Sequence, residues 1–180
     1  MEIEIKAICR DLEKLKKVIL SFGAIEDKEK HQIDEYYNHP NRDLRKTNEY
    51  IRLRYKPMGG DCTFAYHINL SDGVNNEFEV NIDNLKTFKQ ILDNLGFKLL
   101  GIIDKKRKTY RLRDFKITLD EVKDIGNFIE IEVEGNESEI AQKKASCISM
   151  AEELCIDEKD ICHNIWLCDI ATGKIKWKNE

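Results

Sequence analysis

Hydrophobic and charged residues alternate with a period of two along much of the chain, the spacing that sends successive side chains to opposite faces of a β-strand. The pattern runs from Met1 to Cys9, Tyr50 to Lys56, Cys62 to Ile68, Glu77 to Ile82, Phe115 to Val122 and Phe128 to Gly135. It returns more faintly from Ile33 to Asn38 and from Lys105 to Leu112, which makes eight strands. The short connections 57–61 (Pro-Met-Gly-Gly-Asp) and 71–73 (Ser-Asp-Gly) favour antiparallel hairpins. Helical spacing lies between the strands. Asp11 caps a helix carrying Leu12, Leu15, Val18, Ile19 and Phe22 that ends at Gly23, and Leu85, Phe88, Ile91, Leu92 and Leu95 repeat the pattern before Gly96. A third helix is predicted from Glu137 to Leu154, with Ile140, Ala141, Ala145, Ile148 and Ala151 on its inner side. The chain therefore reads as α+β, with an antiparallel sheet and helices against one face.

If Ile3 and Ile5 face a core beneath the helices, Glu2, Glu4 and Lys6 point together to the other side. The same parity groups Arg52 with Arg54, Glu77 with Glu79, Lys105 with Arg107, and Glu130 with Glu132 and Glu134. Phe128 shares the parity of those last glutamates, so the start of its strand is expected to be irregular. Any one such strand reads as amphipathic with a solvated face. The acidic and basic pairs, however, lie on separate strands, and a sheet curled around its charged face would gather both signs into one lumen. Arg and Lys there would hold the oxygens of a polyphosphate, while clustered carboxylates would bind Mg²⁺ or Mn²⁺ bridging the same oxygens.

Composition narrows the alternatives. A length of 180 residues suits one core, and a single domain over 1–180 is expected. With 30 Lys plus Arg against 34 Asp plus Glu there is no broad basic surface to argue for nucleic acid. No run approaches the roughly 20 apolar residues of a membrane span, and the expectation is a soluble, cytoplasmic protein. The six cysteines form no Cys-x-x-Cys pair, so neither a zinc site nor a disulfide scaffold is signalled. His39 reads as a structural loop residue, and His31 and His163 as exposed or capping. Trp166 and Trp177 read as packing residues, and the tail 174–180 as disordered.

These residues resemble the CYTH superfamily, the triphosphate tunnel metalloenzymes, over most of the chain. Glu2-x-Glu4-x-Lys6 matches its N-terminal signature. The run Asp34-x-Tyr36-Tyr37-Asn38-His39-Pro40, Arg42-Asp43, Thr47-Asn48-Glu49 and Arg52-x-Arg54 is similar to the class IV adenylyl cyclase branch. Glu77-x-Glu79, Lys105-x-Arg107 with Tyr110, and Asp120 followed by Gly126-Asn127-Phe128-Ile129-Glu130-x-Glu132 complete the order.

The resemblance implies an eight-stranded antiparallel β-barrel, or tunnel, with helices packed outside. It further implies Glu2, Glu4, Asp120, Glu130 and Glu132 as ligands of Mg²⁺ or Mn²⁺, and Arg52, Arg54, Lys105 and Arg107 as triphosphate contacts. Lys6 would assist the nucleophile, and Glu77 and Glu79 would orient basic residues or a second metal. The implied activity is conversion of ATP to 3′,5′-cyclic AMP and pyrophosphate. The alternatives are hydrolysis of inorganic, thiamine or nucleoside triphosphate, or binding of a triphosphate without turnover, and a homodimer is allowed. Two positions depart from the pattern. His67, after Thr63, stands where the family usually has a lysine, so phosphate binding there is expected to be weaker or pH-dependent. His163-Asn164 stands where the family usually has Ser-Tyr, which bears on the base end of the site.

Overall fold

The computed structural model describes residues 1–162. Alternating strands form β1 (Glu2–Ile8), β3 (Lys30–Asn38), β4 (Glu49–Tyr55), β5 (Cys62–Ser71), β6 (Val74–Asn81), β7 (Lys98–Leu112), β8 (Phe115–Val122) and β9 (Gly126–Glu134). They hydrogen-bond side by side in the order β1-β6-β5-β4-β3-β7-β8-β9, and β9 pairs back onto β1. The result is a closed, eight-stranded antiparallel barrel, as the sequence and its resemblance predict. Two short strands extend it, β2 (Ile25–Glu26) on β7 and β10 (Ile161–Cys162) on β1.

The helices form where apolar spacing changes to the helical period. In α1 (Leu12–Ser21) the Asp11 carboxylate accepts from the Lys14 amide, and in α2 (Leu85–Asn94) the Asn84 side chain accepts from Thr87. The third predicted helix begins as a 3-10 turn over Glu137–Glu139, where Asn136 and Glu139 form a reciprocal capping box, and continues as α3 (Ile140–Glu153). The outward apolar parity of β1, β8 and β9 packs on α1 and α3 through Ile3, Ile5, Ile19, Ile117, Ile131, Cys147 and Met150. A second outer core joins Leu92 and Phe88 of α2 to Tyr37, Leu53 and Phe64. Both cores lie outside the barrel wall, which leaves most of its interior to the polar parity.

Two strand readings need correction. The faint segment from Lys105 is the end of β7, a strand of 15 residues, the longest in the barrel. Its alternation is masked because the outward Lys106 and Lys108 are charged as well as the inward Lys105 and Arg107. The start of β9 is regular rather than irregular: Phe128 pairs in unbroken register with Asp120 and Ile8. Phe128 lies on the lumen side because Tyr36, Ile103 and Val122 meet it there in a buried apolar cluster.

The wall is not uniformly zipped. On its β9 side β1 pairs from Glu2 to Ile8, but on the other side only Glu2 and Ile3 pair with β6, and Lys6 and Ala7 pair with β10. At this junction Gly73, in the β5–β6 turn with φ of 70°, accepts the Glu4 amide at 2.7 Å. A Cβ at Gly73 would lie 2.0 Å from the Glu4 carbonyl oxygen, so the close approach and the positive φ both require glycine.

Candidate active site: a charged lumen

Every strand contributes one parity of side chains to the interior. Glu2, Glu4 and Lys6 arrive on β1, Arg52 and Arg54 on β4, His67 on β5, Glu77 on β6, Lys105 and Arg107 on β7, and Glu130 and Glu132 on β9. All line one cavity of ≈ 80 Å³. Asp120 of β8 is fully buried beside it through its contacts with Lys105 and Arg107. Glu79 reaches Arg52 at 3.4 Å from a more exposed position. The structure thus brings together the predicted residues of both signs. It adds Asp34, Tyr36, Tyr50, Asn75 and Lys116, which sequence reasoning did not single out as site residues. Each lies two or four positions from a predicted one on the same strand parity, or directly across the ladder from it, and that spacing was the available signal.

The charges are cross-linked. Arg107 donates to Asp120 and, at 2.6 Å, to Glu130, whose other oxygen lies 2.6 Å from Lys6 Nζ. Lys105 sits between Asp120 at 3.2 Å and Asp34 at 3.4 Å, and Asp34 takes both Nε and Nη2 of Arg54 at 2.6 and 2.8 Å. Arg52 donates to Glu77 at 2.6 Å, and Lys116 to both oxygens of Glu132. Burial favours the neutral form of Asp34, Asp120 and Glu130, yet the adjoining cations prevail and hold all three below the usual carboxylate range. Burial likewise works against charged Lys6, but Glu130 and Glu4 raise its pKa, so Lys6 is a fixed cation. Lys105 is pushed the other way, by burial and by Arg107.

Glu2 and Glu4 behave differently. Burial first, and then neighbouring carboxylates, among them Glu132, push both up to about 7, and neither has an ion pair within 4 Å among the described residues. In this ion-paired arrangement no three acidic, His or Cys side chains among the described residues are gathered closely enough to hold an ion. The donor set nevertheless suits a hard divalent cation, because oxygen ligands under mutual repulsion gain most from a positive charge between them.

His67 departs from expectation. It is 2% exposed, and burial together with Arg52 and Arg54 pushes its pKa down to about 2, so it is neutral throughout the physiological range rather than partly charged. His39 is a loop residue whose Nδ1 accepts from the Asn41 amide and whose ring packs on Phe97; His31 is exposed and bonds Asp104. His163, Asn164, Trp166, Trp177 and the tail lie outside the described residues.

Asp34 provides a direct test of the ion-pair frame. Asp34→Ala leaves Arg54 and Lys105 facing a void in a buried site, and a loss of about 3–5 kcal/mol is expected, measured by urea unfolding at pH 7. Asp34 is depressed in the folded state, so its contribution is complete above the unfolded carboxylate pKa. It fades only as pH falls through the lower folded value, and the wild-type and variant curves should converge in strong acid.

Comparison with known proteins accords with this architecture. The model of the CYTH domain matches residues 1–162. A Methanocaldococcus jannaschii protein named "Putative adenylate cyclase" is 32% identical over 133 residues, covering 73% of this chain and 76% of that protein. A solved structure from Pyrococcus horikoshii superposes with a TM-score of 0.85 at 26% identity, over 97% of this chain and all of that one. The fold is also that of a Hippeastrum protein described as a "Putative adenylyl cyclase" that reveals a dominant triphosphatase activity, at a TM-score of 0.69, 19% identity and full coverage of both chains. No helix among the described residues is long and apolar enough to cross a membrane. With its N-terminal Glu-x-Glu-x-Lys inside a closed antiparallel barrel and the family model spanning every described residue, the chain belongs to the CYTH domain family.

Proposed function

We propose that this protein is a metal-dependent enzyme acting on a triphosphate, and that its reaction is cyclisation of ATP to 3′,5′-cyclic AMP and pyrophosphate. The observation that carries the triphosphate reading is the gathering of Arg52, Arg54, Lys105 and Arg107 with Glu2, Glu4 and Glu132 around one cavity. The cyclase reading is supported by the 32% identity to the Methanocaldococcus protein and by the cyclase-like run from Asp34 to Arg54.

At rest the cations are occupied by carboxylates, and a cavity of ≈ 80 Å³ has room for only roughly half a dozen waters. Phosphate oxygens would take over Arg52, Arg54 and Arg107 from Glu77, Asp34, Asp120 and Glu130 without a change in the number of charge-assisted bonds. Of the five carboxylates that the resemblance implies as ligands, Glu2, Glu4 and Glu132 would hold Mg²⁺ or Mn²⁺, and Asp120 and Glu130 would join them once phosphate draws Arg107 away; the ion would supply Lewis-acid polarisation of a phosphoryl oxygen. Lys6, firmly protonated, would stabilise negative charge developing at the reacting phosphorus rather than remove a proton. In cyclisation the ribose 3′-oxygen attacks the α-phosphorus, its hydroxyl proton passes to water, and the bond from the α-phosphorus to the bridging oxygen breaks to release pyrophosphate. A second reading, hydrolysis at a terminal phosphorus, uses the same lumen and draws on fold-level likeness to the Hippeastrum protein.

Product analysis separates them. Purified protein with Mn²⁺ or Mg²⁺ is offered ATP, inorganic triphosphate and thiamine triphosphate, and cyclic AMP with pyrophosphate is the expected outcome from ATP. Orthophosphate would select hydrolysis, and the absence of any product would overturn the enzymatic reading in favour of a triphosphate binder.

A further inference from the structure

The strands of the barrel are staggered, and the stagger leaves part of β6 without a neighbour. On one side β6 pairs with β5 from Val74 to Asn81, but on the other only Val74 and Asn75 meet β1. From Asn76 to Asn81 that second edge has no backbone partner among the described residues. Such an edge offers a row of N–H and C=O groups to an added strand. Its two faces differ chemically. Phe78 and Val80 point outward and remain 60% and 58% exposed, although Phe78 stacks on Tyr66. Glu77 and Glu79 take the lumen side, where both reach Arg52. Directly opposed residues of paired strands share a face, so a strand that completes this edge must alternate cations with large apolar residues. A second copy of β6 does not qualify, because antiparallel pairing of two such edges sets Glu77 against Glu79 or an acid against Phe78 or Val80.

The chain carries a matching stretch beyond the described residues. Positions 174–178 read Lys-Ile-Lys-Trp-Lys, polar enough in composition to favour disorder when taken alone, yet alternating in the way β6 requires. An antiparallel register that sets Lys176 against Glu79 also sets Lys178 against Glu77, Trp177 against Phe78 and Ile175 against Val80. The distance can be spanned. Cys162 lies across from Lys6, and the path from there along the seam, past Glu2 and Asn75 to Asn81, is roughly 33 Å at ~3.3 Å per residue. The linker 163–173 reaches roughly 40 Å when extended. We propose that residues 174–178 dock in this register as an added strand on the open edge of β6 and cover Phe78 and Val80. Lys176 and Lys178 then join Arg52 at Glu79 and Glu77, beside the charged cavity.

The test is amide hydrogen exchange on the full chain, read over 76–81, with 115–122 in β8 as the report that the barrel is intact. Wild type is expected to protect 76–81. Lys176→Glu alone, or Glu79→Lys alone, places like charges across the pair and should speed exchange over 76–81 by about five- to tenfold, leaving 115–122 unchanged. The two substitutions together restore the attraction with its sign reversed, and wild-type protection should return. A second readout follows the tail itself. With Trp166→Phe, Trp177 is the remaining tryptophan, and its emission should shift to the red when Phe78→Ala removes its contact. Equally fast exchange over 76–81 in wild type and both single variants, or Trp177 emission indifferent to Phe78, overturns the proposal. Protection that is lost on hundredfold dilution also overturns it, because the strand would then come from a second copy.

Discussion

Glu4→Gln is expected to lower turnover by about a thousandfold or more and, in the metal-free protein at pH 8, to raise stability by about 1–3 kcal/mol. The two effects have one cause. Burial and the nearby Glu130 and Glu132 hold the Glu4 pKa up at about 7, which means that the folded state disfavours its charge. Below the unfolded carboxylate pKa near 4.5 the group is neutral in both states and contributes nothing. As pH rises toward 7 the unfolded chain ionises first, and above 7 the full destabilisation is present. An amide of the same shape avoids it. Chemical denaturation at pH 5 and pH 8 should show the gain growing with pH, and saturating divalent metal should reverse the order by stabilising only wild type. Exposed Glu134, which follows Glu132 on the same parity of β9, serves as the control, with Glu134→Gln changing stability by no more than about 0.5 kcal/mol. A Glu4→Gln protein less stable than wild type at pH 8 would mean that the carboxylate holds the fold together rather than waiting for a cation.

Gly73→Ala should cost about 2–4 kcal/mol and impair activity, although Gly73 is not a lumen residue. Its positive φ accounts for about 1 kcal/mol. The remainder comes from a methyl 2.0 Å from the Glu4 carbonyl oxygen, a backbone atom that can yield only by moving β1. Gly59 separates the two contributions, because its φ is also positive, at 85°, while nothing lies within 4 Å of its would-be Cβ. Gly59→Ala should therefore lose only the backbone part. The check is the shift in urea midpoint for both variants, followed by their activity under native conditions. Equal costs for the two would remove the contact argument.

The barrel and most of its lumen were legible because parity alone assigns a face to each residue once the strand is recognised. Phe115 to Val122 is recovered to the residue, and the inward sets Glu2, Glu4 and Lys6 or Arg52 and Arg54 stand out because their outward neighbours are uniformly apolar. Asp34 was harder to see. Its neighbour Glu35 faces the outer core, where Tyr37, Tyr55 and Lys89 all hydrogen-bond its carboxylate, so polar residues mark both faces of β3 and the alternation fades. Lys116 is hidden by the same logic, as a lone cation on a strand read mainly for Asp120. Histidine at position 67 could be read as a departure, but not as a neutral one. Its charge depends on burial beside two arginines that only the closed wall brings close. The division of acids into those already satisfied, Asp34, Asp120 and Glu130, and those left in tension, Glu2 and Glu4, also depends on distances rather than on residue type.

The short β1–β6 ladder gives the cylinder a mechanical character. Among the described residues it is a ring with seven long joints and a clasp of two residue pairs, Glu2 with Asn75 and Ile3 with Val74. A guest too large for the resting space would spread the ring at that fastening first, since fewest bonds part there. Glu2 at this clasp and Glu4 beside it are the two carboxylates whose buried charge a cation would relieve, so loading the ion would tighten the fastening that a large guest would strain.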